Sequence, residues 1–487
     1  MLVRSILAWF VFSVLLLLLA VATQADEFDT LYVFWSMLLS VPIGVCAFRG
    51  ALSNPTGEGF HYPSISICVL SGWILGVGPS LIVEAPESYI AFNFTQLGLA
   101  WARALFMFWC LVFAAVAGAP NNRRISVRVR APDFWAIMGC SAAILAYLIE
   151  IGLYSNYQSN QVRTVVESGS LASVCKVIGT PLTTMLPALC MLAYAKAPSL
   201  TIRTAAIAAF FLAIVALLLS TSRGAVVLAV VMCLSLARKL GLQFRPSIMV
   251  GLAAALPVVF VLIMAYRQTL VESEGATSVK AYVTTAAAST NTVAKDDAAR
   301  SDAVASLSNN MRSRMWYGQQ FSASVDEWLD NGPSMKGSLL AGIIRAAPVW
   351  LFPGKNRLAE QYEFEEFLIA TGRFPVADLG PMPWQQWLFE FGIAGLLFGA
   401  LFYGYLARVI DRRLSETRSV YEVVFWLGMF VAMCAPEQTT DALILSGRII
   451  AAFLIFCWAI ALGFRVFEPA GRAGFEAEPA PTGSHAG

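Results

Sequence analysis

Long apolar runs separated by short polar loops recur along this 487-residue chain. A helix needs about 20 apolar residues to cross the hydrocarbon core of a bilayer. Runs of that kind fall at about 5–23, 30–48, 63–83, 90–118, 133–153, 171–195, 203–220, 224–240, 246–266, 384–408, 419–437 and 442–464. The pattern predicts an all-α polytopic membrane protein with about 12 transmembrane helices. Only the short stretch STSRG, Ser220–Gly224, separates the seventh run from the eighth. Composition agrees, because 13% of residues are charged where soluble domains carry roughly 25%. The first run reads as an uncleaved anchor, with Arg4 before it and a long apolar core behind.

The basic residues orient the spans. Arg4 precedes the first, and Arg49 follows the second. Arg123, Arg124, Arg128 and Arg130 follow the fourth; Lys196 and Arg203 follow the sixth. Arg238, Lys239 and Arg245 follow the eighth, Arg408, Arg412, Arg413 and Arg418 the tenth, and Arg465 the last. All therefore share one side, the cytoplasm, and both termini lie there. Two opposite loops, QADEFD and EAPES, are acidic. Merging spans seven and eight would invert every later loop, so STSRG is a hairpin corner on the outer side. Arg103 and Lys176 fall inside spans four and six and give no orientation.

The organisation that follows is residues 1–266 as spans one to nine, 267–383 as one large outer loop, 384–464 as spans ten to twelve, and 465–487 as a disordered tail rich in Ala, Gly, Pro and Glu. The first part of the loop is rich in Ala, Ser, Thr and Asn and reads as a mobile, partly helical stretch. The second part, with RAAPVWLFPGK and EQYEFEEFL, reads as short amphipathic helices lying on the membrane or covering a cavity. The nine cysteines lie in or beside apolar runs without a CxxC pair, as small buried hydrophobes do. His61 and His485 are the only histidines, so no His-based metal centre is expected.

Removing the orienting cations leaves an outward set: Arg163, Arg223, Arg267 and Arg448, with Arg312, Arg314, Arg345, Lys355, Arg357 and Arg373 in the loop. Arg223 and Arg448 stand close to or within the hydrocarbon zone, where arginine is costly. Reaching for head groups or local carboxylates explains such residues one at a time. Arg448 has Asp441 two turns earlier. Arg223 has no acidic neighbour in sequence and needs a partner from another span or an anionic ligand. A guanidinium suits phosphate because its planar donors engage two oxygens at once. The hydroxyls of Ser220, Thr221 and Ser222, and the amides opening the eighth helix at Gly224, fit an anion; for each hydroxyl taken alone, turn chemistry is the better explanation. Span ten opens PMPWQQWLFEFGIAGLLFGALFYG, where Gly392, Gly395, Gly399 and Gly404 make a packing stripe. Glu390 is a costly carboxylate near the outer end of that span, and Trp384 and Trp387 read as interface-belt residues or a platform for a sugar ring.

In order and sidedness, TSRGAVV, a late large outer loop, RAAPVWLFPGK within it and PMPWQQWLFEFGIAGLLFGALFYGYLAR after it resemble the O-antigen polymerase and O-antigen ligase superfamily. The resemblance implies a GT-C-like glycosyltransferase of the bacterial inner membrane, its large loop in the periplasm. It implies a polyprenyl-diphosphate-linked oligosaccharide as donor, membrane lipids as surroundings, and a chain-length regulator and a flippase as further partners, with no nucleic acid and no cofactor. Its arginines grip the donor diphosphate; the matching positions are Arg223 and Arg267, with Arg345 and Arg163 as further candidates. Ligases of the superfamily use a histidine near the end of the large loop, and none stands between His61 and His485, which favours a polymerase.

The chemistry expected is displacement at an anomeric carbon, with charge building on the departing diphosphate and arginines stabilising it. The attacking hydroxyl needs a carboxylate to take its proton; Asp378 and Glu390 lead the candidates, ahead of Glu437 and Asp441. There is no GxxxxGK[ST] loop for a nucleotide donor. An O-antigen ligase or protein O-oligosaccharyltransferase is the alternative within the class. A lipid-linked oligosaccharide flippase or other transporter is the alternative outside it, although the single late loop and the outward rather than mid-membrane charges favour an enzyme.

Overall fold

The computed structural model describes residues 95–117, 124–154, 161–220, 222–242, 246–272, 279–313, 316–347, 354, 368–374, 382–434 and 439–466. These residues form helices and connections, with no strand among them. The helices are α1 (Gln96–Ala117), α2 (Ala131–Glu150), α3 (Gln161–Lys196), α4 (Leu200–Leu219), α5 (Arg223–Lys239), α6 (Pro246–Glu272), α7 (Val279–Lys295), α8 (Asp297–Ser313), α9 (Trp316–Asn331), α10 (Ser338–Ala346), α11 (Pro383–Glu416), α12 (Val420–Cys434) and α13 (Thr440–Val466). Among the described residues, five stretches are long and apolar enough to cross a membrane: Ala131–Glu150, Val174–Lys196, Leu200–Leu219, Pro383–Glu416 and Ala442–Arg465. Shorter apolar helices run over Arg223–Ala237, Ala255–Arg267 and Val420–Cys434. This is an all-α membrane protein. Spans one to three of the sequence pattern lie outside the described residues.

The seventh and eighth runs are two helices, α4 and α5, as the basic-residue pattern requires. The break has local causes. Ser220 turns its hydroxyl back onto the Leu217 carbonyl at 2.7 Å, and the Ser222 hydroxyl accepts the Ala225 amide at 3.3 Å as the cap of α5. The same helix stops at Gly241, whose φ of +78° brings the Leu242 amide to the Ala237 carbonyl at 2.9 Å.

Cations assigned to the cytoplasm converge at one end of the bundle. Residues Arg124–Arg130 form an extended strap in which Ile125, Val127 and Val129 are buried while Arg124, Ser126, Arg128 and Arg130 face outward. Its Ile125 amide donates to the Lys239 carbonyl at 3.2 Å and its Val129 amide to the Lys196 carbonyl at 3.5 Å. Those carbonyls end α5 and α3 and have no partner within their helices. The same end holds a buried ion pair, Lys239 Nζ to Asp411 Oδ1 at 3.0 Å, with the ammonium also 2.8 Å from Ser415 Oγ. There too Arg465 pairs with Asp133, which accepts the Tyr421 hydroxyl at 3.0 Å.

The core is built around α11 packed on α1. Between lipid-immersed helices there is no hydrophobic drive, so close backbone approach and van der Waals packing hold them. The glycine stripe supplies that approach: a Cβ on Gly404 would sit 2.8 Å from the Phe113 carbonyl oxygen, and one on Gly399 would sit 2.6 Å from Trp109. Trp384 is neither an interface belt nor a platform. It is buried against Phe106 and Trp109, with ring centroids 5.0 and 6.3 Å away. The Ala-rich start of the large loop, read from sequence as mobile and partly helical, forms α7 and α8, both packed on α6. Alanine's helix propensity carries them.

Candidate functional site

Two arrangements occupy the end of the bundle away from the strap and the Lys239–Asp411 pair. The first is the STSRG corner. Residues on α2 to α5 enclose a cavity of about 20 Å³ lined by Tyr154, Lys176, Thr183, Ser220, Ser222 and Ala225, with Leu148 and Gly179 beneath. Lys176 Nζ donates to the Leu153 carbonyl at 2.5 Å, where α2 ends in a left-handed turn at Gly152. A cation there complements the C-terminal end of a helix. Tyr154 donates its hydroxyl to the Ala216 carbonyl at 2.5 Å and so ties the end of α2 to α4. Arg223 is the first residue of α5 and is half-buried beside this lining. The result is two cations, three hydroxyl side chains and a phenol around the N-terminus of α5, with no carboxylate among the described residues of the lining. Sequence reading set Lys176 aside as a cation within a span. The signal that could have flagged it is its register, since it falls about one helical turn from Gly179 and two from Thr183.

Below the corner lies an apolar groove of about 540 Å³ between α3, α4, α5 and α6. Pro187, Met191, Phe210, Leu217, Val226 and Val259 are among its walls. Leu217 and Val226 stand three and four residues from Ser220 and Ser222, so the groove runs up to the corner. Arg267 belongs to the same level. It is buried in α6, with Nη1 3.5 Å from Met264 Sδ, one turn beyond Ile263. Ile263 in turn packs with Leu217, Ala225 and Val226.

The second arrangement clamps the large loop onto the spans. Glu390 is fully buried in α11, its Oε2 accepting the Gly337 amide at 2.9 Å and its Oε1 the Ser338 amide at 2.7 Å. These amides open α10, so the carboxylate caps that helix. At the other end of α10, Arg448 Nη1 donates to the Ala347 carbonyl at 3.1 Å. Further along the loop, Asp326 on α9 accepts the Thr95 hydroxyl at 2.6 Å and the Thr95 amide, capping α1. Arg373 pairs with Glu327 at 3.2 Å and with Asp330.

The WQQW stretch is a buried polar hub. Gln385 accepts from Gln320 at 2.9 Å and donates to Ser324 at 2.7 Å, which joins α11 to α9. Gln386 accepts the Thr440 amide at 3.0 Å and Trp387 donates to the Thr440 hydroxyl at 2.9 Å, which joins α11 to the start of α13.

Of the residues singled out from sequence, Arg223 and Arg267 thus lie at one level of the bundle, and Glu390 lies under the loop. Arg163 falls near the start of α3 and Arg345 within α10, both with side chains outside the described residues. Asp378 and Glu437 lie outside the described residues altogether, as does the Asp441 side chain. Comparison with family models, with curated proteins and with solved structures finds no match to this chain.

Proposed function

We propose that this chain is a bacterial polysaccharide polymerase of the inner membrane, joining polyprenyl-diphosphate-linked oligosaccharide repeats at the periplasmic face by metal-independent glycosyl transfer. It has about twelve spans in a GT-C-like plan and both termini in the cytoplasm. The observation that carries the reading is the pairing of a corner that sets two cations beside three hydroxyl side chains with an apolar groove reaching up to it. Such a pair suits a ligand with an anionic head and a long hydrocarbon tail. The cavity itself has room for about one water, so the diphosphate sits at its outer mouth, toward Arg223 and Arg267.

In the reaction, the acceptor hydroxyl oxygen forms a bond to the anomeric carbon of the donor sugar. The bond from that carbon to the diphosphate oxygen breaks, and its electron pair leaves with the lipid diphosphate. Arginines aimed at the oxygens gaining charge lower the barrier. The hydroxyl proton passes to a carboxylate, for which Asp378 is the leading candidate among residues beyond the clamp.

The deciding experiment uses purified full-length protein in lipid, a polyprenyl diphosphate oligosaccharide and a chelator. Longer lipid-linked products are expected, and R223A should lower their rate about 10²- to 10³-fold at unchanged protein level. Wild-type chain lengths in that variant would overturn the assignment. Donor crossing the bilayer without bond formation would make the protein a flippase.

A further inference from the structure

α11 is broken where it passes under the large loop. Gly392 has φ 64° and ψ −149°, far from helical values. The break frees the carbonyls of Phe389 and Glu390 from the helix ladder. They accept instead the amides of Ser334 at 2.9 Å and Met335 at 3.1 Å. The Glu390 side chain takes the next two donors, Gly337 and Ser338. Four backbone amides from 334–338 therefore end on two consecutive residues of a membrane span. To bring them there the loop adopts positive φ at Gly332, Met335 and Gly337. At Met335 a side chain accepts a conformation that L residues avoid, a strain that the four bonds overcome.

The helix so captured is short and two-faced. Ser338 and Gly342 are buried, whereas Leu340 and Ile343 are 61% and 46% exposed. Position 345 lies two turns beyond Ser338 and thus on the same side of the helix axis as the buried pair. The carboxylate of α11 holds the positive end of α10, and the guanidinium of α13 holds its negative end. Two separate spans set the position and tilt of a single helix.

We infer that Glu390 is a positioning residue: with Arg448 it fixes α10, and so the Arg345 position, against the outer end of the bundle. The inference rests on the donor-binding reading of Arg345 for its consequence in catalysis, but not for the clamp itself. It assigns Glu390 a task other than proton transfer, since both of its oxygens already accept amides.

Hydrogen exchange of the full chain in lipid reads the clamp directly, at the amides of 334–338. In E390A exchange across this segment should quicken at least about tenfold while peptides from α13 keep their rates. In E390Q, whose carbonyl still accepts one amide, the increase should be smaller. Donor elongation by E390Q should persist, with KM raised about three- to tenfold and kcat less affected. Unchanged exchange at 334–338 in E390A would overturn the inference. So would E390Q that exchanges like the wild type yet has lost all turnover, because Glu390 would then act as the base. If exchange responds as expected while the wild type elongates no donor, the clamp stands and the polymerase reading falls.

Discussion

At the scale of single residues, the corner shows how a half-buried cation within a span is stabilised. Lys176 sits in a span where an ammonium is expensive, and the carbonyl ending α2 stabilises it. Replacing it by methionine keeps the stem but removes both the cap and one of the two cations beside the cavity. K176M should weaken donor binding about tenfold, by analogy with the loss of a charge-assisted hydrogen bond. A titration with the lipid-linked donor measures this, and unchanged affinity would place the lysine in the scaffold alone. Local sequence hides such partners. Arg448 donates to the Ala347 carbonyl, 101 residues away. Glu390 was legible as a costly carboxylate but not as a cap, because the amides it accepts lie 52 and 53 residues earlier in a loop without regular periodicity.

At the scale of elements, apolar length predicts well and loop structure poorly. The runs from 90–118 onward each coincide with a helix, because the bilayer demands one continuous stretch of satisfied backbone. The stripe of small residues in span ten was also legible, since glycine has one strong meaning where helices must touch. What the pattern missed is the break at Gly392 inside that stripe, where the same residue type serves a turn in the chain rather than contact. The two uses separate under mutation. G404L places a side chain where a Cβ already meets the Phe113 carbonyl oxygen at 2.8 Å. It should force α1 and α11 apart and cost about 1–3 kcal/mol or more, read as a lower thermal midpoint in detergent. A midpoint equal to wild type would mean that the two helices pack less closely than described.

For the molecule as a whole, the count of cations on alternate loops predicts which residues share one end, and it does so without knowledge of contacts. The strap at Arg124–Arg130, the ends of α3 and α5 and the start of α12 do meet at one end, through Lys239, Asp411 and Asp133. The buried pair there, however, has no orienting task, as Lys239 and Asp411 are 1% and 2% exposed. Removing one partner strands the other. K239M should destabilise the protein by about 3–5 kcal/mol, and the double variant K239M/D411L should recover most of that loss. Denaturation in mild detergent compares the three. A single variant as stable as wild type would show that Asp411 finds water or another cation. The proposed donor site is legible only in part: TSRG points to the corner, but the groove beneath it is made by four helices spread over residues 187–259 and has no sequence signature.

The strap has a mechanical consequence. It ties the C-terminal ends of α3 and α5 by backbone hydrogen bonds, and the ion pair pins the end of α5 to α11. Two rods fastened at one end can part only by swinging about that end, like the arms of tweezers. A given small rotation then moves the far ends most, and Ser222 and Arg223 stand at the far end of α5. Guest chains wedged between the arms would thus be felt chiefly at that far end, while the fastened end stays shut.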